Sequence, residues 1–517
     1  MSAVDGTTLL LRQNVRRDRV IVPGWLAVLS LMAYASASAV GSLFSTAQER
    51  LMLATSINGQ PGLLALYGPI LDPGSTGELA MSKLTVLYAL LSAILYVVLV
   101  RRHTRIDEES GRAELIGGTA VGRAAPMLAV VVECIAVALL LGLLVAAANA
   151  VGGLPVAGSL WFGISWAGTG LVATGIAAVA CQLSASARTC GAIAAAMLAA
   201  AFAVRAAGDA LDGWHWISWL SPLGWNTQLR AWSEPRWWVS VLYLALSAAL
   251  LALAGAMRAR RDLGAGLIEA RPGRVSGWIA GAWGLTLRLQ RTSLVLWTVG
   301  IAGLGLLFGA MTPGFDDLFR GTGAQEIIDR LGGAFLAALL PIIAIVVTCY
   351  PVAVASGAHQ DEAEGRTGTA IAAGTSRARW FAATATFAAV GAAWLMLVAG
   401  LCLRVGYGAA GGAGGADVLP AAAGWIPAVW FVGALALAGF AARQGWVGWT
   451  LLVTFLTLTL VGELLELPGW MVRLSPYSAV PLYPAEAWSW RPDLVLLALT
   501  ASIVVGAWLL FQRRDLE

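Results

Sequence analysis

Lysine is almost absent from this 517-residue sequence: Lys83 is the only one, and nearly all other basic residues are arginine. A phosphate-binding P-loop needs a lysine directly after its last glycine, whereas Lys83 follows Ser82. The chain therefore has no nucleotide-binding loop of that type. Charged residues make up only 12% of the sequence, which is about half the share in an ordinary soluble domain.

Cysteine and histidine are also scarce, with five and three residues respectively. The cysteines lie in or beside apolar runs at no metal-ligand spacing, which is typical of small buried side chains rather than of disulfides or zinc ligands. The histidines are dispersed, and no Ser/His/Asp arrangement accompanies them. We therefore predict no catalytic residue, metal site or cofactor in this chain, and a polytopic enzyme or a sensor is disfavoured.

Apolar residues dominate what remains, at 59% of the sequence with a mean hydropathy of +0.76. This excludes a soluble globular or a disordered chain. Twelve apolar runs meet the length of about 20 residues that a membrane-spanning helix needs. We therefore predict an all-α polytopic membrane protein with about 12 transmembrane helices. The runs lie at about 20–44, 84–100, 125–149, 159–183, 190–207, 237–256, 293–311, 333–355, 381–403, 425–442, 445–462 and 493–511.

The arginines predict the orientation of these spans. If the N-terminus is cytoplasmic, most of the arginines fall in cytoplasmic loops, as the positive-inside rule requires. Both termini are then cytoplasmic. A cleaved signal peptide is the alternative for the first apolar run, but the run is too long for one, and we interpret it as a retained span.

An internal duplication organises the chain. The pattern Asp-Glu-x-x-Gly-Arg at 107–112 recurs 254 residues later at 361–366, and Leu-Ser-Pro at 220–222 recurs with the same offset at 474–476. Arg-Arg-Asp-Leu at 260–263 returns at the chain end. One register held over so many polar positions indicates two copies of one unit.

Each copy contains six spans, so both copies have the same orientation in the membrane. We predict a first six-helix repeat at 1–257, a cytoplasmic linker at 258–285 and a second repeat at 286–517. Parallel repeats of this kind place a transport pathway at the interface between the halves.

The duplicated acidic segment carries too many charges to enter lipid. Its i,i+4 spacing predicts ion pairs between Arg105 and Glu109 and between Glu108 and Arg112. It is either a docking site for a cytoplasmic partner or a solvated loop whose arginines set topology. Acidic residues contribute little to topology, so the duplication favours docking. The candidate docking residues are Asp107, Glu108, Gly111, Arg112, Asp361, Glu362, Gly365 and Arg366.

The second duplicated element, Trp-x-x-x-Leu-Ser-Pro, falls on the predicted outer side. Because proline ends a helix, each copy predicts a span that breaks at the outer surface. A re-entrant cap over the exit is one interpretation, and interfacial anchoring by tryptophan is the other. The residues are Trp216, Ser221, Pro222, Trp470, Ser475 and Pro476, preceded by the acidic pairs Asp209/Asp212 and Glu463/Glu466.

Glu133 is an isolated acidic residue about two turns into the third span, and its repeat position is Phe387. Intramembrane acids are candidates for proton handling or for contact with a cationic substrate. The alternative is a carboxylate satisfied by neighbouring helices, although the sequence names no basic partner. Arg205, near the outer end of the fifth span, is expected to pair with Asp209 one turn on.

Taken together, the doubled Asp-Glu-x-x-Gly-Arg segments, Leu-Ser-Pro elements and Arg-Arg-Asp-Leu endings resemble actinobacterial ABC-2-type (type V) permeases that export polyketide antibiotics, tetronasin and multiple drugs. The resemblance covers essentially the whole chain. It implies a fused pseudo-dimer in the bacterial plasma membrane that is driven by two copies of a separately encoded ATPase. ATP and Mg²⁺ would bind to that partner and not to this chain.

The resemblance also assigns roles to residues. It implies that the docking residues form coupling helices that contact the ATPase, and that the outer elements are re-entrant helices. It implies membrane-surface elbow helices before spans one and seven, which include Arg16, Arg17, Arg288 and Arg291. A substrate cavity for hydrophobic compounds would be lined from spans two, five, eight and eleven, with Tyr88, Tyr96, Phe202, Tyr350 and Glu133 as candidates.

A 6+6 secondary transporter, such as a major-facilitator-like drug/proton antiporter, is the strongest alternative. Such proteins also have parallel halves and an Asp/Gly/Arg-containing loop after the second span. The usual basic pair after that motif is missing, because Ala113 follows Arg112. Glu133 is the feature that favours the antiporter.

Overall fold

The structure is a computed structural model, and it describes residues 4–43, 46–59, 61–211, 213–268, 281–319, 335–411, 418–460, 468–483 and 488–514. In these residues every regular element is a helix. The chain divides into two compact units, residues 1–273 and 274–517. The predicted all-α polytopic architecture is confirmed.

Eleven helices among the described residues are long and apolar enough to cross a membrane. They overlap eleven of the twelve predicted runs. The remaining run, predicted at 445–462, contains a shorter apolar helix, Val447–Thr459, and residues 461–467 lie outside the described part of the chain.

The first unit contains helices α1 to α13. Their bounds are α1 Thr7–Arg17, α2 Ile21–Leu43, α3 Ala47–Asn58, α4 Pro61–Tyr67, α5 Thr76–Lys83, α6 Ala89–His103, α7 Arg105–Glu109, α8 Arg112–Gly117, α9 Ala125–Val151, α10 Val156–Leu183, α11 Ala187–Ala210, α12 Trp225–Gln228 and α13 Trp238–Ala259. A π-helical turn, Leu84–Tyr88, joins α5 to α6, so the second span is one long helical segment.

Helix α10 is the most buried span of this unit and lies at its core. It packs closely on α9 because both helices present glycine at the contact: a Cβ on Gly142 would lie 2.6 Å from the Gly163 carbonyl oxygen. Small residues at such contacts let membrane helices approach closely. The fully buried Trp166 donates from Nε1 to the Leu84 carbonyl oxygen at 3.2 Å, at the start of the π-helical turn.

The second unit contains helices α14 to α22. Their bounds are α14 Gly281–Phe319, α15 Phe335–Ala363, α16 Arg366–Ala372, α17 Arg377–Ala409, α18 Val418–Gly424, α19 Ile426–Ala441, α20 Val447–Leu460, α21 Gly469–Val472 and α22 Trp490–Arg513. Here too glycine permits a close contact, because a Cβ on Gly305 in α14 would lie 2.9 Å from the Ala399 carbonyl oxygen in α17.

The elbow helices expected before spans one and seven differ in the structure. In the first unit α1 is a separate helix that ends at Arg17, and α2 begins at Ile21. In the second unit α14 runs without interruption from Gly281, so Arg288 and Arg291 lie within the spanning helix. The expectation of a separate elbow around these two arginines is therefore wrong. Of the predicted linker, residues 258–268 and 281–285 are described. Backbone bonds from Leu267 and Ile268 attach the first stretch to the end of α10, and the second stretch forms the start of α14.

Candidate functional site

The duplicated charged segment of the first unit consists of two short helices, α7 and α8, that meet at Gly111. This glycine has φ +73°, a left-handed conformation that costs other residues about 1–2 kcal/mol. In the second unit Gly365 has φ +74° and separates α15 from α16 in the same way. Both glycines therefore turn the chain between the helices that flank them.

An arginine directly follows each of these glycines and forms an ion pair back across the turn. Arg112 lies 3.2 Å from the Asp107 carboxylate, and Arg366 lies 2.6 Å from the Asp361 carboxylate. Both arginine side chains are 53% exposed. The hydrogen bond that Arg366 donates to Asp361 raises the pKa of Arg366, so this guanidinium stays charged. We call residues 109–112 and 363–366 the two tips.

Beneath the first tip, the Glu108 carboxylate accepts hydrogen bonds from two arginines. Arg105 donates from Nη1 at 2.8 Å, and Arg261, just beyond the end of α13, donates from Nη2 at 2.7 Å. The three side chains are between 0% and 8% exposed. Arg261 also donates from Nε to Gln182 on α10 at 2.8 Å. A buried ion cluster therefore ties the charged segment to the end of the sixth span.

The second unit repeats this Glu–Arg ion pair with different surroundings. We call the pairs Glu108–Arg261 and Glu362–Arg514 the two Glu–Arg ties. Glu362, the repeat equivalent of Glu108, pairs with Arg514, the residue directly after α22. Arg514 also donates to the Phe440 carbonyl oxygen at 3.2 Å, and its guanidinium lies 4.8 Å from the centre of the Phe511 ring. The Asp-Leu that follows Arg514 lies outside the described residues.

Sequence reasoning found both members of these ties but not their pairing. The acid and the arginine are 153 residues apart in the first unit and 152 in the second, far beyond any local periodicity. A signal was available, because both elements are duplicated and both fall on the same predicted side of the membrane.

Two sequence expectations about this segment are wrong. The i,i+4 pairs Arg105–Glu109 and Glu108–Arg112 do not form, since α7 has only five residues and the glycine turn follows it. Glu109 instead accepts a hydrogen bond from the Ala187 backbone N–H at 2.6 Å, at the start of α11.

The second wrong expectation is that all eight docking residues contact a partner directly. The Glu108 and Glu362 side chains are only 8% and 7% exposed because they neutralise buried arginines. Asp107 is also largely buried, and it accepts a hydrogen bond from Arg17 of α1 at 2.8 Å. Of the eight docking residues, only Arg112 and Arg366 offer exposed side chains.

The duplicated outer elements share a hydrogen-bond pattern. Ser221 Oγ donates to the Ala201 carbonyl oxygen at 2.7 Å, and Ser475 Oγ donates to that of Phe455 at 3.4 Å. Each serine thus binds a carbonyl twenty residues upstream. Pro222 follows the 3₁₀ helix His215–Leu220, and Pro476 begins the 3₁₀ helix Pro476–Ser478.

The tryptophans of these elements are exposed, Trp216 at 59% and Trp470 at 67%, as interfacial anchors would be. The re-entrant cap stays a prediction. Arg205 pairs with Asp209 at 3.1 Å, as predicted. The other acids of these elements, Asp212, Glu463 and Glu466, lie outside the described residues.

Replacing Ser221 or Ser475 by alanine is expected to lower the free energy of unfolding by about 1 kcal/mol, because each hydroxyl is a buried hydrogen-bond donor. Thermal unfolding of the purified protein measures the change. The exposed Ser502→Ala is the control, and a loss of equal size there would contradict the structural role.

A family model described as the C-terminal domain of the multidrug efflux system permease Rv1217c matches residues 13–260 and 279–512. One matched stretch falls in each unit. The chain belongs to this family. The multidrug efflux system permease protein Rv1217c of Mycobacterium tuberculosis (strain ATCC 25618 / H37Rv) is 38% identical over 531 residues, which cover 100% of this chain and 96% of that protein. A multidrug efflux permease is a multi-pass membrane transporter rather than an enzyme.

The aromatic residues proposed for the permease's substrate pathway are mostly enclosed. Tyr96 and Tyr350, which are repeat equivalents, have no exposed surface because each packs against a glycine of a neighbouring helix. In this conformation neither can line an open cavity, which corrects that expectation. Phe202 instead covers the Arg205 guanidinium at 4.9 Å, and Tyr88 is half-buried at the π-helical turn.

Glu133 belongs to a buried cluster of three side chains from three segments, together with Asp18 and His103. Its Oε2 lies 3.9 Å from Nε2 of His103, which in turn lies 2.5 Å from Oδ2 of Asp18. The three ligand atoms lie within 4.8 Å of one another, and Arg102 lies 3.2 Å from Asp18. A carboxylate–imidazole–carboxylate group can share a proton or hold a divalent cation.

This cluster has no counterpart in the second copy of the repeat, since Gly357 and Phe387 occupy the positions of His103 and Glu133. The sequence indicated Glu133 but not its neighbours. Asp18 follows α1 and His103 ends α6, and only the packing of these helices against α9 brings them together.

Proposed function

We propose that the chain is the membrane subunit of an ATP-driven exporter for hydrophobic or amphiphilic compounds, powered by a separately encoded cytoplasmic ATPase bound as two copies. The observation that carries the proposal is the duplicated coupling site: an exposed glycine-arginine tip on a buried Glu–Arg tie, once in each unit.

Expelling a compound against its gradient needs an energy source. Lys83, the only lysine, lies at the end of α5 and follows serine rather than the glycine of a P-loop. A partner protein therefore supplies the ATP and Mg²⁺ site. Two copies of the docking segment fit two copies of that partner.

The geometry provides a route for force in each unit. A force that the ATPase applies to the first tip acts on Glu108, which directly precedes the tip. The buried ion pair transmits this force to Arg261 at the end of α13. Glu362 and Arg514 connect the second tip to α22 in the same way. Buried charge pairs resist separation, because breaking one costs about 3–5 kcal/mol.

The two contacts are not equivalent. Arg105 gives the first tie a second cation, whereas His359 occupies its repeat position in the second unit. The second tie instead has Arg443 at 4.0 Å from Glu362. Both tips are proposed to face the cytoplasm, with the chain in the bacterial plasma membrane and both termini inside.

Reconstitution tests the proposal. We expect proteoliposomes that contain this chain and its co-expressed ATPase to accumulate a fluorescent amphiphile only with Mg-ATP. An ATPase variant without its P-loop lysine is the matched control. Transport by this chain alone, driven by a pH gradient, would overturn the proposal.

The same assay evaluates the alternative of a drug/proton antiporter. The observation that favours it is the buried Asp18–His103–Glu133 cluster, which could carry a proton. The antiporter requires that Glu133→Gln abolish transport driven by a pH gradient, and the ATP-driven exporter requires that no such transport occur.

A further inference from the structure

A second feature of the first unit lies beside the coupling segment. A groove of about 620 Å³ runs between the first turns of α9 and the last turns of α13. Its wall is largely apolar and includes Met127, Leu128, Leu251 and Gly255. Both helices are membrane spans, so the groove lies at one end of the membrane-spanning region.

Two arginines stand at the polar end of this groove. Arg123 lies just before α9, Arg258 lies in the last turn of α13, and Arg258 Nη2 donates to the Arg123 carbonyl oxygen at 2.9 Å. Among the described residues, neither guanidinium forms an ion pair. Five other arginines at this end of the unit do form ion pairs. They are Arg17, Arg102, Arg105, Arg112 and Arg261.

An apolar groove that ends in two arginines without an ion-pair partner complements an anionic amphiphile. Membrane phospholipid is the amphiphile that always surrounds these helices, and basic pockets between spans on the cytoplasmic side bind anionic headgroups. The groove also has room for a lipid acyl chain, because a Cβ on Gly255 would meet nothing within 4 Å.

We propose that this groove binds one anionic phospholipid, with its phosphate between Arg123 and Arg258 and an acyl chain along α9 and α13. Both arginines also line a cavity of about 300 Å³ that reaches Asp107, Glu108 and Arg261. The bound headgroup therefore lies next to the first Glu–Arg tie. The binding itself does not depend on the proposed ATP coupling.

Lipid titration of the purified full chain, read by native mass spectrometry, tests this site. We expect phosphatidylglycerol to remain bound at concentrations where phosphatidylcholine does not. Arg123→Gln and Arg258→Gln are each expected to weaken phosphatidylglycerol binding about fivefold. The exposed Arg260→Gln, which removes the same charge two residues beyond Arg258, is the control and is expected to leave binding unchanged.

Gly255→Phe tests the groove without touching a charge. Because its side chain enters open space, we expect normal thermal stability but loss of phosphatidylglycerol binding. Equal binding of the two lipids, an equal loss in Arg260→Gln, or retained binding in a folded Gly255→Phe would each overturn the proposal. Binding of a fluorescent transported amphiphile where phosphatidylglycerol does not bind would also overturn it.

Discussion

Replacing Gly111-Arg112 and Gly365-Arg366 together by alanine pairs is expected to reduce ATP-dependent efflux by about tenfold or more. The change forces a Cβ into two left-handed backbone positions and removes both exposed arginines. The tips are then misplaced for the ATPase, while the buried Glu108 and Glu362 ties remain. Efflux from reconstituted vesicles and co-purification of the ATPase measure the effect.

A partial variant separates the causes of this loss. Arg112→Gln with Arg366→Gln keeps the glycine turns and tests the charges, because these side chains are 53% exposed and their ion pairs add little stability. Glu114→Gln, an exposed change on α8, is the matched control. Unchanged efflux in the full alanine variant would show that the tips take no part in coupling.

Glu108→Ala is expected to destabilise the first unit by about 3–5 kcal/mol. The substitution leaves Arg105 and Arg261 buried without their carboxylate, since they are 0% and 5% exposed at the side chain. We expect low accumulation in the membrane and a lower unfolding temperature. Thermal unfolding of the purified protein, with Glu114→Ala as the control, measures the effect.

Glu362→Ala is expected to cost less, about 1–3 kcal/mol. Arg514 follows the last helix and rests on the Phe511 ring, so it loses one partner without becoming isolated. Adding Arg514→Met to Glu362→Leu is expected to recover most of the stability, because replacing both members of a buried pair removes the unpaired charge. A larger loss in Glu362→Ala than in Glu108→Ala would contradict this ranking.

Some features of the site could be predicted from local sequence alone. The glycine turns at 111 and 365 follow from a duplicated Gly-Arg between charged segments, and Arg205–Asp209 follows from i,i+4 spacing. The pairs expected from the same spacing around Arg105 failed because α7 ends after five residues. Periodicity predicts a contact only where the helix continues.

The composition of the chain determined the class of protein, because long apolar runs are stable only in a membrane and a duplicated polar register requires two copies of one unit. Tertiary structure alone decided which charges neutralise one another. Glu108 meets Arg261, and His103 meets Asp18 and Glu133, through the packing of helices that are distant in the sequence. Burial makes an unpaired charge costly, so packing rather than spacing determines the partner of each one.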